Sequence, residues 1–308
     1  MDYGNLIIQI NRSYPINIKH IELHREMIGK VYFLQSQDRR YTLKIYRSFK
    51  TDDALQTICI LDYLKENSYP AVSIIRTEQN ESHIILSSQD GCCVGILYDY
   101  VEGAMPDGKI EAESIGIQIG QLHNLMDKYP DKLKNRPKTE YVDDYISIMR
   151  ELDFHSEKTL ELEQYGNLLW GRITKLQKKF CHGDLHTGNM IRNQSGEYVL
   201  LDFDDASGDY PSMDVAYMSD DTNFNHFHES MYDQTIRLCE RFYSGYSKVS
   251  VLSNNEIHAI LDFIAIRHFL IISRIVRCQG MQSVSKEFCD EQYFWLMKWQ
   301  ELCAKKQH

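Results

Sequence analysis

Two acid-bearing stretches constrain this chain more than any other part of it: HGDLHTGN at residues 182–189 and LDFDDA at residues 201–206. The run between them, from about Asn189 to Phe203, reads as a hairpin turning at Asn193 to Gly196. The residues capable of chemistry cluster at its two ends. Asp184 and Asn189 lie five positions apart on the loop that enters it, and Asp202 follows its second strand. Together they form an oxygen-rich set suited to Mg2+, a hard cation that prefers carboxylate and amide oxygens. Such a set serves phosphoryl transfer. One carboxylate orients the accepting hydroxyl, while a carboxylate and an amide hold the metal ions that bridge the nucleotide phosphates. On this logic Asp184 is the base or orienter, and Asn189 and Asp202 are metal ligands.

Around that centre the pattern divides into two lobes, residues 1–100 and 101–308. The first is rich in short alternating runs. Ile16 to Arg25, Lys30 to Gln37 and Tyr41 to Tyr46 read as three consecutive strands, and in the third Leu43 and Ile45 share one face while Lys44 points to the other. Thr51, Asp52 and Asp53 open a helix whose Leu55, Ile58, Leu61 and Leu64 form a single apolar stripe. Val72 to Thr77 and His83 to Ser88 are strand-like, and Val94 to Val101 leads into a connector. Beyond it, helical spacing covers Glu111 to Met126, Tyr141 to Leu152, Ser156 to Lys179, His226 to Tyr246, Glu256 to Val276 and Ser285 to Lys305. The most apolar of these, from Leu261, carries Arg267, His268 and Arg274, which marks a core helix rather than a membrane span.

Composition narrows the function. With 44 acidic against 34 basic residues, the net charge of -10 argues against a nucleic-acid binder and favours a cationic partner. No segment offers the roughly 18 uncharged apolar residues of a membrane span, and the first residues lack the basic and apolar pattern of a secretory signal, so a cytoplasmic protein is expected. Eight scattered cysteines without a CxxC pair read as reduced thiols, adjacent Cys92 and Cys93 included. The His226 and His228 pair has no Cys or carboxylate set at ligand spacing and reads as surface or packing. The 20 tyrosines could line an ammonium-binding cage, but sequence cannot assemble one.

The stretch from Phe180 to Met218 also carries a resemblance. CHGDLHTGNMI is similar to the catalytic loop, VLLDFDDA to the metal-binding segment and GDYPSMDVAYM to the following short helix of the aminoglycoside phosphotransferase and choline kinase family. The nearest branch is that of type II homoserine kinases and the bacterial stress-response kinase. The likeness spans nearly the whole chain and implies an α+β, two-lobed protein-kinase-like fold, with an antiparallel β amino-terminal lobe and a mainly helical carboxy-terminal lobe. It implies ATP as the phosphate donor, with GTP possible, and Mg2+. Carried over residue by residue, it gives Lys44 the nucleotide phosphates, Gly29 the phosphate-covering loop, and the main chain of Asp99 and Val101 in LYDYVEG the adenine edge. It assigns support of the catalytic loop to His182 and Asp214. His186 stands where protein kinases carry a lysine and either donates to the transferring phosphoryl group or packs the loop. Ile119 to His123 echoes a helix that precedes the catalytic region.

One departure stands out: relatives pair the strand lysine with a glutamate on the next helix, whereas Thr51 to Lys65 offers only Asp52, Asp53 and Asp62. Asp53, or a water-mediated contact, is the expected replacement. The acids Asp202, Asp204, Asp205 and Asp209 could receive a cationic acceptor, with Asp204 and Asp205 alternatively solvated or capping. The leading expectation is an ATP- and Mg-dependent kinase acting on a hydroxyl of a small, amine-bearing molecule that is aminoglycoside-, choline- or homoserine-like. A protein Ser/Thr kinase and a nucleotide-binding module without turnover are the alternatives. Oligomeric state leaves no trace in the sequence.

Overall fold

The computed structural model describes residues 2–27, 29–88 and 91–306. The chain divides into two units, Met1–Pro106 with Gly188–Asp205, and Asp107–Thr187 with Ala206–His308. The hairpin expected in the second lobe therefore groups with the first. The reason is backbone pairing: Leu200 bridges Ala71, and Arg192 exchanges hydrogen bonds with Ala104 at 3.2 and 2.8 Å.

In the first unit an antiparallel sheet forms from β1 (His20–Glu26), β2 (Gly29–Gln35), β3 (Arg40–Tyr46), β4 (Ile84–Ser88) and β5 (Gly91–Asp99), in the order β1-β2-β3-β5-β4. Alternation in β3 sends Tyr41, Leu43 and Ile45 into the core and leaves Lys44 on the opposite face. Helix α1 (Tyr3–Ser13), not expected from the sequence pattern, is capped by Asp2 and lays Leu6 and Ile10 into the same core. Helix α2 (Thr51–Glu66) follows β3 and buries Ile58, Leu61 and Leu64 of its expected stripe, whereas Leu55, in its first turns, is exposed. Val72 to Thr77 does not become a strand. It makes an isolated bridge from Ile74 to Tyr98, with the Ile75 amide donating to Leu97, the Ser73 carbonyl accepting from Asp99 and the Val72 amide donating to Leu200. The hairpin itself comprises β7 (Met190–Arg192) and β8 (Tyr198–Leu200), after β6 (Lys179–Cys181) of the other unit.

The second unit is mainly helical: α3 (Ala112–Met126), α4 (Asp144–Glu151), α5 (Ser156–Ile173), α6 (Pro211–Ser219), α7 (Ser230–Tyr246), α8 (Asn254–His258), α9 (Ile260–Gln279) and α10 (Lys286–Lys306). Strand β6 pairs with β9 (Ser207–Asp209), which is why α5 stops short of the expected Lys179. Helices α3 and α7 approach closely enough that a Cβ on Gly116 or Gly245 would collide with the backbone of the other helix. Helix α9 is the expected core helix, with eleven of its residues buried, and no helix among the described residues is long and apolar enough to cross a membrane.

On α9 the buried His268 stacks on Trp295 at 3.7 Å and on Phe224 at 4.6 Å, and its Nδ1–H donates to Gln292 Oε1 at 2.8 Å. Burial holds its imidazole down to about 4, against the opposing pull of Gln292 and Asp220. Because the folded value lies below the unfolded one, the unfolded chain takes up this proton first as pH drops. Stability should fall by about 3 kcal/mol between pH 8 and pH 4 through this group alone. Urea unfolding of His268→Phe beside the parent at pH 8, 5.5 and 4 checks this: the free-energy difference between the two proteins should shift in favour of the variant as pH falls, and a constant difference would contradict it.

Candidate active site

In the first unit, β2, β3, β5, the Asp99–Val101 connector and the hairpin enclose a cavity of about 310 Å³. Val31, Phe33, Val72, Ile191 and Leu201 supply apolar walls, while Lys44, Asn189, Asp202 and Asp204 supply the polar end. Flat apolar walls with a few convergent polar groups suit an aromatic ligand that carries charge at one end. Asp99 and Val101 both line it. The Asp99 amide is bonded to the Ser73 carbonyl at 2.9 Å and its carboxylate is held by Arg39, so the side chain is turned to another task. The Val101 amide has no hydrogen-bond partner among the described residues. Gly29 is not among the lining residues. It opens β2 opposite Tyr46, where a Cβ would stand 2.6 Å from the Ile45 carbonyl oxygen, so close strand pairing demands glycine there.

The Lys44 ammonium, with its side chain 13% exposed, donates to Asp202 Oδ1 at 2.6 Å and to Asp204 Oδ2 at 2.7 Å. Burial alone would lower the lysine pKa, yet the two carboxylates outweigh it and raise the value, so Lys44 stays protonated. Burial and the like charge of Asp202 push Asp204 up to about 6, against the pull of Lys44. Asp53, the expected partner of Lys44, instead pairs with Lys50, three positions before it on the first turn of α2. Lys50, its close neighbour along the chain, holds it.

Asn189 is buried at the start of the hairpin, its carbonyl accepting from the Leu201 amide at 2.9 Å, which ties the two hairpin ends together and sets Asp202 beside it in the chain. Asp202 adopts φ 55, a left-handed conformation that aspartate tolerates better than most residues. Arg25 also reaches it, at 3.6 Å. An amide oxygen and a carboxylate lining one cavity fit Mg2+, which is held through one or two carboxylates together with phosphates rather than by an all-protein cage. In keeping with that, no group of three or more His, Cys, Asp or Glu among the described residues could hold a metal by itself.

Asp184 belongs to the second unit, with Gly183 before it at φ 81, the left-handed turn that aims the loop. His186 Nε2 lies 3.8 Å from Asp184 Oδ2. Burial opposes ionisation of Asp184, but His186, Arg274 and Arg267 overcome it and hold the carboxyl well below the usual range. It is therefore a permanent carboxylate, able to accept a hydrogen bond from a hydroxyl. Neither arginine was legible as a site residue: on α9 both read as interruptions of a core helix.

Asp214 on α6 organises the loop that carries Asp184. Its Oδ2 accepts from the His182 amide at 2.7 Å and from His123 Nε2 at 3.0 Å, and its Oδ1 accepts from the Gly183 amide at 2.9 Å. Burial would raise this carboxyl, yet His123 outweighs it and holds it below its ordinary value. His123 in turn bonds the Tyr246 hydroxyl at 2.8 Å through Nδ1. His182 contributes its backbone here and is fully buried. His123, legible only as an echo, and Tyr246 thus complete the support.

Comparison with known proteins agrees with this architecture. The sequence profile of the phosphotransferase enzyme family, APH, matches residues 21–250. Among solved structures, the chain resembles an amicoumacin kinase (TM-score 0.78, 18% identity, 99% of this chain and 94% of that one) and a microcompartment-associated aminopropanol kinase (0.73, 14%, 98% and 95%). It also resembles the choline kinase LicA of Streptococcus pneumoniae (0.66, 17%, 99% and 100%). The antiparallel sheet unit and helical unit are those of the protein-kinase-like α+β fold, and the match over most of its length makes this chain a member of the phosphotransferase enzyme family.

Proposed function

We propose that the protein transfers the γ-phosphate of ATP to a hydroxyl of a small, amine-bearing molecule in the cytoplasm, with Mg2+ as the metal. The observation that carries this reading is one cavity lined by Lys44, Asn189 and Asp202 and also by Val101, whose amide has no hydrogen-bond partner among the described residues. Lys44 meets the phosphates, Asn189 and Asp202 hold the metal, and the Asp99 carbonyl and Val101 amide take the adenine edge. When bound, Mg2+ supplies charge neutralisation across the phosphates. Asp184, five residues before Asn189, accepts from the hydroxyl of the acceptor. The Asp214 network holds the loop, so most of the acceleration comes from positioning. The structure of the amicoumacin kinase contains AMP-PNP and Ca2+ with its acceptor, which supports a nucleotide beside a small acceptor.

The test is Mg-dependent phosphate transfer from ATP, and in parallel GTP, to a panel of aminoglycosides, amino alcohols, hydroxy amino acids, sugars and a generic protein. Transfer to one small-molecule class is expected. Transfer to the protein alone, or nucleotide binding with ATP turnover absent across the panel, would overturn this reading in favour of a protein kinase or a non-catalytic module.

A further inference from the structure

We infer that Asp204 is the positioning residue that keeps the Lys44 ammonium aimed into the cavity once Asp202 is engaged by a cation. This rests on the proposed contact between Lys44 and nucleotide phosphates. A buried ammonium needs a carboxylate partner, and the acids of α2 are paired elsewhere or exposed: Asp53 pairs with Lys50, Asp62 pairs with Arg76, and Asp52 and Glu66 are exposed. The partners of Lys44 instead come from a segment 158 residues further along, Asp202 and Asp204. These two carboxylates are not equivalent. Asp202 stands with Asn189 as a candidate metal ligand, and a carboxylate drawn onto a cation gives up much of its attraction for a neighbouring ammonium.

Asp204 is built to stay. Its Oδ2 accepts from Lys44 at 2.7 Å, while its Oδ1 accepts from the Tyr46 hydroxyl at 2.8 Å. Tyr46 is buried on β3, two residues from Lys44, and its hydroxyl lies 3.1 Å from that of buried Tyr98 on β5. With Tyr46 donating to Asp204, Tyr98 donates to Tyr46. The carboxylate is thereby fastened to β3, the strand that carries the lysine, and through Tyr98 to its neighbour β5. A lysine makes three N–H bonds, two of them spent on Asp202 and Asp204, which leaves one for a phosphate oxygen. Thr57 and Leu61 are the α2 residues that line this cavity, both buried, and the Thr57 hydroxyl has no hydrogen-bond partner.

A positioning role differs from a metal-binding role in its dependence on Mg2+. Affinity for a fluorescent ATP analogue is measured with Mg2+ and with EDTA for the parent and for Asp204→Asn, Tyr46→Phe, Asp202→Asn and Lys44→Met, alongside KM for ATP and kcat. Asp204→Asn should weaken nucleotide binding about tenfold both with and without Mg2+, with KM for ATP rising more than kcat falls. Tyr46→Phe, which keeps the ring and the charge, should give about a threefold loss of the same kind even if the aspartate variant folds poorly. Asp202→Asn should lose mainly the Mg-dependent increment. Asp204→Glu should recover part of the affinity. Loss of only the Mg-dependent increment in Asp204→Asn would make it a metal ligand and overturn the inference, as would unchanged binding in both Asp204→Asn and Tyr46→Phe beside a weakened Lys44→Met. Unchanged binding in Lys44→Met would remove instead the reading of Lys44 on which the inference stands.

Discussion

Asp202→Ala should lower turnover by about a thousandfold while leaving the fold intact. The residue lines the cavity with Asn189, accepts from Lys44 and is flanked by Arg25 at 3.6 Å, so its loss removes a carboxylate from a site rich in charge but not from the hydrophobic core. The effect is large because a loose phosphoryl-transfer transition state asks the protein for charge neutralisation and alignment more than for a strong base. Two readouts check it: steady-state turnover on the acceptor identified by the panel, and Mg2+ titration of nucleotide binding, in which the variant should need far more metal. Lys44 keeps Asp204 as a partner, so the thermal midpoint should change little. Near-parental turnover would remove Asp202 from the metal-binding role.

Asp184→Asn should cost a similar factor, about a thousandfold in turnover, with nucleotide affinity preserved. The substitution keeps the shape of the side chain, and the loop stays in place because its amides at His182 and Gly183 are held by Asp214 rather than by Asp184. What disappears is a carboxylate kept ionised by His186, Arg267 and Arg274. Because the folded value is depressed, ionisation of Asp184 is complete throughout the neutral range, and the rate of the parent should show no acid limb from this group above pH 5. The comparison of the two variants separates the roles: Asp202→Ala should change metal dependence, and Asp184→Asn should change turnover alone. A variant at Asp184 that retained a tenth of parental activity would argue for pure positioning by some other group.

Much of the fold was legible because local patterns carry it. Alternation in TLKIY put Leu43 and Ile45 in the core and Lys44 opposite, and the stripe Ile58, Leu61, Leu64 gave α2 its buried face. The misses have local causes too. Helix α1 is short, and its isoleucines resemble strand residues until Asp2 is seen capping it and Leu6 and Ile10 are seen in the core. Val72 to Thr77 has strand composition but is used in single bridges beside β5 and β8. Sequence order alone groups the hairpin with the helical lobe, because it follows the loop that carries Asp184. Pairing of Leu200 with Ala71 and of Arg192 with Ala104 puts it with the sheet unit.

By itself the sequence determined the kinds of group available and their order: an Asp, an Asn and an Asp bracketing a hairpin, a lysine on the outer face of a strand, and an aspartate on the helix after them. These are properties of neighbours along the chain, which spacing and alternation report directly. Only the tertiary structure decided the partners. Lys44 takes Asp202 and Asp204 rather than Asp53, Asp214 takes His123 across 91 residues and the amides of His182 and Gly183, and Asp184 owes its depressed pKa in part to arginines on α9. Partnership between distant charges depends on burial and on competition, as when Lys50 captures Asp53, and neither is written in local periodicity.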